Sequence, residues 1–221
     1  MELMEEMMVQ TVQKVYPQKL IKEIPFPRIS HADAMAKYNS DKPDLRDNKE
    51  DENELAFAWI YDMPLVEWSE TEKKLVSTHH PFTMPKEEDK EHLESAPDKV
   101  KAQAYDLVLN GYEIAGGSIR IHQAGLQKKV FKVLGLKDDE IKEKFGHMLE
   151  ACSYGVPPHG GLAFGVDRLM MILQNEKSIR EVIPFPKTGD GRDLMMDAPS
   201  DIAPEQLKEL GINIKDTRNK T

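Results

Sequence analysis

The sequence predicts an α+β fold in which an antiparallel or mixed sheet is flanked by helices. Three observations carry this: a hairpin signal between apolar runs in residues 104–122, helical patterns over 123–134 and 138–154, and a glycine-rich apolar run that leads into a further helix at 160–173. At 221 residues the chain suits one domain and is long enough to bury a real core.

Taken in order, Met1 to Tyr16 reads as an amphipathic helix with Leu3, Met7, Val12 and Val15 inward, stopped by Pro17. Ser30 and Asp33 are placed to cap a short helix through Tyr38. Asp41 to Glu54 is polar and reads as a linker, and Leu55 to Trp68 holds at least one strand. The acidic runs at 47–54 and 87–94 read as solvated loops or helix faces. In STHHPFTMP, Ser77 to Pro85, two adjacent histidines precede a proline. They cannot both face one side of an extended strand, and neither has a partner at metal-ligand spacing, which argues against zinc. His79 or His80 is left to hydrogen-bond a polar substrate or to serve as a satisfied structural histidine.

The hairpin is the strongest local signal. Residues 105–109 are apolar with one acid, Asn110-Gly111 supplies the turn, and Tyr112 to Ile114 begin the return strand. A two-residue turn sets Val108 opposite Glu113 and Asp106 opposite Ala115. Asp106 and Glu113 then share a face with Cβ atoms roughly 7–8 Å apart, close enough to share a divalent cation, with magnesium the natural candidate; two solvated acids on a polar sheet face would look the same. Arg120 falls on the opposite face by strict alternation. A bulge at Gly116-Gly117 would swing it onto the carboxylate face, where its planar fork could grip a carboxylate; an arginine on a strand more often faces solvent or pairs with a surface acid. The following helices end at Gly135 and Gly155.

In GGLAFGVDRLMMIL, Gly160 to Leu173, Leu162 to Phe164 read as a short buried strand, Gly165 lets the chain turn closely, and Leu169, Ile172 and Leu173 bury one helix face. Arg168 lies in the first turn, where backbone N–H groups and the helix dipole favour an anion such as a phosphate; a strand and helix packed for stability, with Asp167 and Arg168 as a solvated pair, would look the same. Pro204 to Leu210 reads as a last helix closed by Gly211. There is no internal repeat, and the twelve methionines read as core filler.

Composition narrows the function classes. The net charge of −9 argues against nucleic acid as the main partner of this piece. No signal peptide and no long apolar run are read, so a cytoplasmic location and no membrane partner are expected. The single Cys152 excludes an internal disulfide and fits a reducing compartment.

HHPFTMP, AYDLVLNGYEIAGGSIRIH and GGLAFGVDRLMM, in that order, together with PFPRISHADAMAKYNSDKPDLR (Pro25 to Arg46) and IREVIPFPKTGDGRDLMMDAPS (Ile179 to Ser200), resemble the carboxyl-terminal part of the catalytic domain of bacterial-type aspartyl-tRNA synthetases, a class II family. GGLAFGVDRLMM is similar to class II motif 3. The resemblance implies the class II fold, incomplete because the motif 1 and motif 2 strands are absent, with the polar stretch at about 41–54 standing where relatives carry an inserted domain. It implies that His79 contacts the aspartate substrate and that Arg120 binds its side-chain carboxylate. Asp106 and Glu113 would hold ATP through Mg2+. Gly165, Val166, Asp167 and Arg168 would line the ATP site, with Arg168 the catalytic arginine. The implied activity is aspartate activation by ATP and transfer to tRNA, with homodimerisation of the full-length enzyme and little activity for this chain alone. Ala115 stands where the family usually has glycine. Two other readings stay open: a non-catalytic paralogue that binds ATP, aspartate or a protein, and a ligase that passes activated aspartate to an acceptor other than tRNA.

Overall fold

The computed structural model describes residues 1–215. Along the chain run helix α1 (Glu2–Val15), strands β1 (Leu20–Ile21) and β2 (Arg28–Ser30), helix α2 (His31–Tyr38), and strands β3 (Glu54–Leu55), β4 (Phe57–Tyr61), β5 (Val66–Ser69), β6 (Lys74–Ser77), β7 (Ala104–Leu109) and β8 (Tyr112–Ile119). Helices α3 (Ala124–Val133) and α4 (Asp138–Ser153), strand β9 (Gly160–Phe164), and helices α5 (Val166–Leu173) and α6 (Pro204–Glu209) follow.

The centre is a five-stranded sheet in the order β2-β4-β7-β8-β9. Its β2–β4 pair is parallel and the other pairs are antiparallel, so the sheet is mixed, as the patterns predict. Alternation along the strands divides its side chains between two cores. On one face Phe57, Trp59, Leu107, Leu109 and Ile114 pack with Met8 and Val12 of α1 and with Met171, Ile172 and Leu173 of α5. On the other, Ile60, Ala104 and Val108 pack with Met63, Leu65, Val130 of α3 and Leu134 just past its end. Each fully buried large side chain removes enough apolar surface from water to contribute about 1.5–3 kcal/mol. A third cluster joins α3 to α4 through Phe131, Ile141 and Leu149, with Phe145 stacked on Phe131 and Phe82 set edge-on to both rings.

Helix α1 forms where expected but buries a shifted face. Val12 is buried as expected, whereas Leu3 is 71% exposed, Met7 and Val15 are also exposed, and Glu5 and Met8 take the inward places. The reason is polar. Glu5 accepts hydrogen bonds from Trp59 Nε1 at 2.9 Å and from the Phe26 backbone N–H at 3.1 Å, and a carboxylate so bound fixes which side of the helix meets the sheet. Ser30 caps α2, its hydroxyl accepting from the Asp33 N–H at 3.1 Å. Gly135 and Gly155 take the left-handed conformation just past α3 and α4. The β5–β6 hairpin carries no glycine, proline or asparagine signal in its turn, where Lys73 supplies the left-handed residue instead, and was not expected. Among the described residues no helix is long and apolar enough to cross a membrane.

Candidate active site

The β7–β8 hairpin builds the site. Asn110 and Gly111 both have positive φ, 50° and 85°, which a two-residue turn matched to the strand twist requires. The Asn110 side chain also accepts from the Ala56 N–H and donates to the Glu54 carbonyl, both at 2.8 Å, tying the turn to the neighbouring strand.

Val108 lies opposite Glu113 as the register predicts, but Asp106 lies opposite Gly116 rather than Ala115, because β8 carries one extra residue across from Leu107 and Val108. Ile114 and Ala115 both enter the core beneath α1 and α5, which is how the extra residue is absorbed. The bulge therefore precedes Gly116-Gly117 instead of falling on it. From Gly116, ordinary alternation carries Ser118 onto the carboxylate face; Arg120 follows the end of the strand, and its charge acts on His80 and Tyr105 rather than on Asp106.

Asp106 and Glu113 converge over Gly116. A Cβ on that glycine would stand 2.9 Å from Asp106 Oδ1 and 3.2 Å from Glu113 Oε1, so the hydrogen in its place opens the cradle in which both carboxylates sit. Asp106 is 7% exposed. Burial, then the negative charges of Glu113 and Asp41, push its carboxyl from an ordinary 3.8 up to about 7. Among the described residues, neither of the charges that act on it is positive. Two hard oxygens facing one space, with buried negative charge uncompensated, are a donor set that fits Mg2+ or an ammonium group.

Asp41 is the residue that sequence reasoning missed. Placed in a linker by its polar surroundings, it lies near enough for its charge to act on both Asp106 and His79. An acid in a polar run carries no mark that separates it from a solvated one.

Arginines stand at both ends of β8. Arg168, an exposed residue in the first turn of α5, donates from Nη1 to the backbone carbonyl of Glu113. Gly165 precedes it as the N-cap, and its N–H donates to the Ile114 carbonyl at 2.8 Å. The turn does not depend on glycine: Gly165 has a φ of −77°, and a Cβ there would meet Ile114 O at an ordinary 3.7 Å. Val166 and Asp167 follow on the exposed start of α5. At the other end, Arg120 donates from Nη1 to His80 Nδ1 at 2.8 Å, and the Phe82 N–H donates to the same nitrogen at 3.1 Å. Both partners are obligate donors, so Nδ1 is bare and the ring proton sits on Nε2. Burial, and then the Arg120 charge, lower the His80 pKa, in keeping with a neutral ring. Beside Arg120 opens a cleft of ≈ 540 Å³ walled by Phe82, Gln127, Met148, Cys152 and His159.

The two histidines thus divide. His80 takes Arg120, while His79 Nε2 rests against the Met63 sulfur. His79 keeps an exposed edge; the buried part of its ring lowers its pKa, against the pull of Glu113 and Asp41. The charge of Glu113 acts on both Asp106 and His79, and Arg168 stands beside Glu113.

A family described as tRNA synthetases class II (D, K and N) matches residues 1–189. The aspartate–tRNA(Asp/Asn) ligase of Desulfatibacillum aliphaticivorans is 58% identical over 165 residues, 75% of this chain and 28% of that protein. The aspartate–tRNA ligase of Malacoplasma penetrans is 56% identical over 162 residues, 73% of this chain and 28% of that protein. Among solved structures, an aspartyl tRNA synthetase from Entamoeba histolytica superposes with a TM-score of 0.61 at 20% identity, covering 87% of this chain and 40% of that one. An asparaginyl-tRNA synthetase from Pyrococcus horikoshii gives 0.51 at 24% identity, covering 76% and 37%. At those identities the two structures speak for the fold alone. The chain spans about 28% of the length of the curated relatives it matches.

Proposed function

The chain belongs to the class II tRNA synthetases (D, K and N), and on that premise we propose that it is the carboxyl-terminal part of the catalytic domain of an aspartate–tRNA ligase, with the polar stretch at 41–54 replacing an inserted domain. The observation that carries the reading is the layout of strand β8: a carboxylate pair over Gly116, with Arg168 at one end and Arg120 at the other. Such a strip accepts a substrate that is anionic at both ends and carries a cation between them.

Arg120 receives the side-chain carboxylate of aspartate, where a planar guanidinium prefers a carboxylate over an amide. His79 contacts the amino acid from the side of Asp41 and Glu113. Asp106 and Glu113 hold Mg2+, which when bound neutralises charge on the ATP phosphates. Gly165, Val166, Asp167 and Arg168 line the nucleotide site. In the first step an oxygen of the aspartate α-carboxylate bonds to the α-phosphorus of ATP and pyrophosphate leaves with the electron pair. In the second, the terminal ribose hydroxyl of tRNA attacks the activated carbonyl and AMP leaves. Both steps are served by positioning and by charge placed in advance. The anticodon contacts, the dimer interface and the rest of the ATP site are assigned to the remaining length of the protein, working in the cytoplasm.

Aspartate-dependent exchange of pyrophosphate into ATP tests this, measured on the chain alone and on the full reading frame that contains it. Exchange with aspartate by the full frame, and little by the chain alone, is expected. Absence of aspartate-dependent exchange in the full frame overturns the activity, and an ordinary synthetase rate from the chain alone overturns the division of labour.

A further inference from the structure

We infer that Gln127, on α3 and outside every role assigned above, is the positioning residue that sets the tautomer of His80 and through it the aim of Arg120. Its importance for substrate rests on the reading of Arg120 as the carboxylate-binding arginine; the tautomer does not.

Gln127 is a polar side chain at 2% exposure in the midst of an apolar helix face. Burying an amide is costly unless it is bonded, so the bond it makes has a use. Its Nε2 donates to the Pro81 carbonyl at 2.7 Å, 46 residues away in sequence. Pro81 lies between the two residues that define the His80 ring environment. Before it is His80 itself, whose backbone a following proline restricts; after it is Phe82, whose N–H is one of the two donors to His80 Nδ1. Because the Pro81 carbonyl and the Phe82 N–H belong to the same planar peptide unit, fixing the carbonyl fixes the direction in which that N–H points. With the N–H aimed at Nδ1, that nitrogen stays an acceptor and is available to the Arg120 guanidinium at 2.8 Å. The strand side holds the same loop by the Ile121 N–H to the Phe82 carbonyl, 2.9 Å, so Gln127 supplies the restraint from the opposite side.

The tautomer can be read from two-bond nitrogen–proton correlations of the imidazoles in histidine-labelled protein near neutral pH, with the His80 signals identified by their loss in His80→Asn. In the unaltered chain His80 should show a single protonated nitrogen, Nε2. Gln127→Leu keeps the volume and removes the donor; Gln127→Glu keeps the shape and sets an oxygen against the carbonyl. Both should yield a His80 ring that averages between tautomers. Val130→Ala, on the same helix and buried in the cluster that excludes Phe82, disturbs packing without touching the bond and should leave His80 as it was. An unchanged His80 in either folded Gln127 variant overturns the inference. So does a Val130→Ala variant that also mixes the tautomers, or failure of both Gln127 variants to fold while Val130→Ala folds. In the full reading frame, loss of one oriented charge-assisted contact should raise the KM for aspartate about tenfold with kcat little changed. If the unaltered protein shows no aspartate dependence, the proposed function fails, and the imidazole spectra still decide the role of Gln127.

Discussion

Replacing Asp106 by asparagine should stabilise the metal-free protein, and by an amount that depends on pH in one direction only. In the folded state the carboxyl holds its proton to about pH 7, whereas an ordinary one releases it near 3.8. Between those values folding takes up a proton, so stability falls as pH rises through this window, and the loss is complete above about 7. At about 1.36 kcal/mol for each tenfold change in proton affinity, the full loss is of order 4 kcal/mol. That is a large share of the roughly 5–15 kcal/mol that holds a domain together. Asparagine is nearly isosteric and neutral in both states, so it carries none of this dependence. Urea unfolding of both proteins in EDTA, at about pH 4 and about pH 8, isolates the contribution, since carboxylates common to both cancel in the double difference. The variants should be close in stability at the lower pH, with asparagine ahead by up to about 4 kcal/mol at the higher. Added Mg2+ should close that gap by binding the unaltered protein alone. Equal differences at both pH values would refute the account of Asp106 as a buried carboxylate with a raised pKa.

Gly116→Ala places a methyl group between the Asp106 and Glu113 oxygens, so it should weaken Mg-ATP binding at least tenfold by calorimetry while costing only about 1–3 kcal/mol in urea. Gly117→Ala drives its Cβ into the Gly161 carbonyl of β9, to within 2.8 Å of Tyr105 and 3.0 Å of the Leu162 Cα; the backbone must move, and a loss of about 3 kcal/mol or more is expected by thermal denaturation. Glu5→Ala strands the Trp59 and Phe26 donors inside the core, about 1–3 kcal/mol for each group left unpaired, read as a lowered urea midpoint with unchanged slope. For His80 the sign is opposite to that of Asp106. Its folded pKa is lowered, so its contribution is held above about 6.5 and lost as pH falls below it; NMR titration should place its midpoint under 6.5, and Arg120→Ala should raise it.

Where a local rule has one physical meaning, the sequence could be read directly. Asn110-Gly111 has few uses other than a tight hairpin, and Ser30 with Asp33 few other than a cap, so both appear as expected. Apolar spacing in α5 likewise reports the face it buries through Ile172 and Leu173. The reading failed where a polar atom overrules apolar spacing: nothing about Glu5 announces two donors waiting for it on Phe26 and Trp59, and without them Leu3 and Met7 look like the better inward face. It also failed at the bulge, because Ile114 and Ala115 can share one face only when that face is a deep apolar core, a property of α1 and α5 rather than of β8.

The carboxylate pair was half legible for a related reason. Two acids on one sheet face are usually solvated, and nothing local to Asp106 distinguishes it from such an acid. Its cost comes from Ile60, Ala104 and Val108 around it on the same face and from Glu113 and Asp41 across from it, all of which are brought there by tertiary structure. A chain selected for stability alone would put a neutral or apolar side chain at this position, and the asparagine experiment measures how much it would gain. That the costly choice sits over Gly116, a residue whose missing side chain leaves room for a third body, is the physical argument that something positive completes the site.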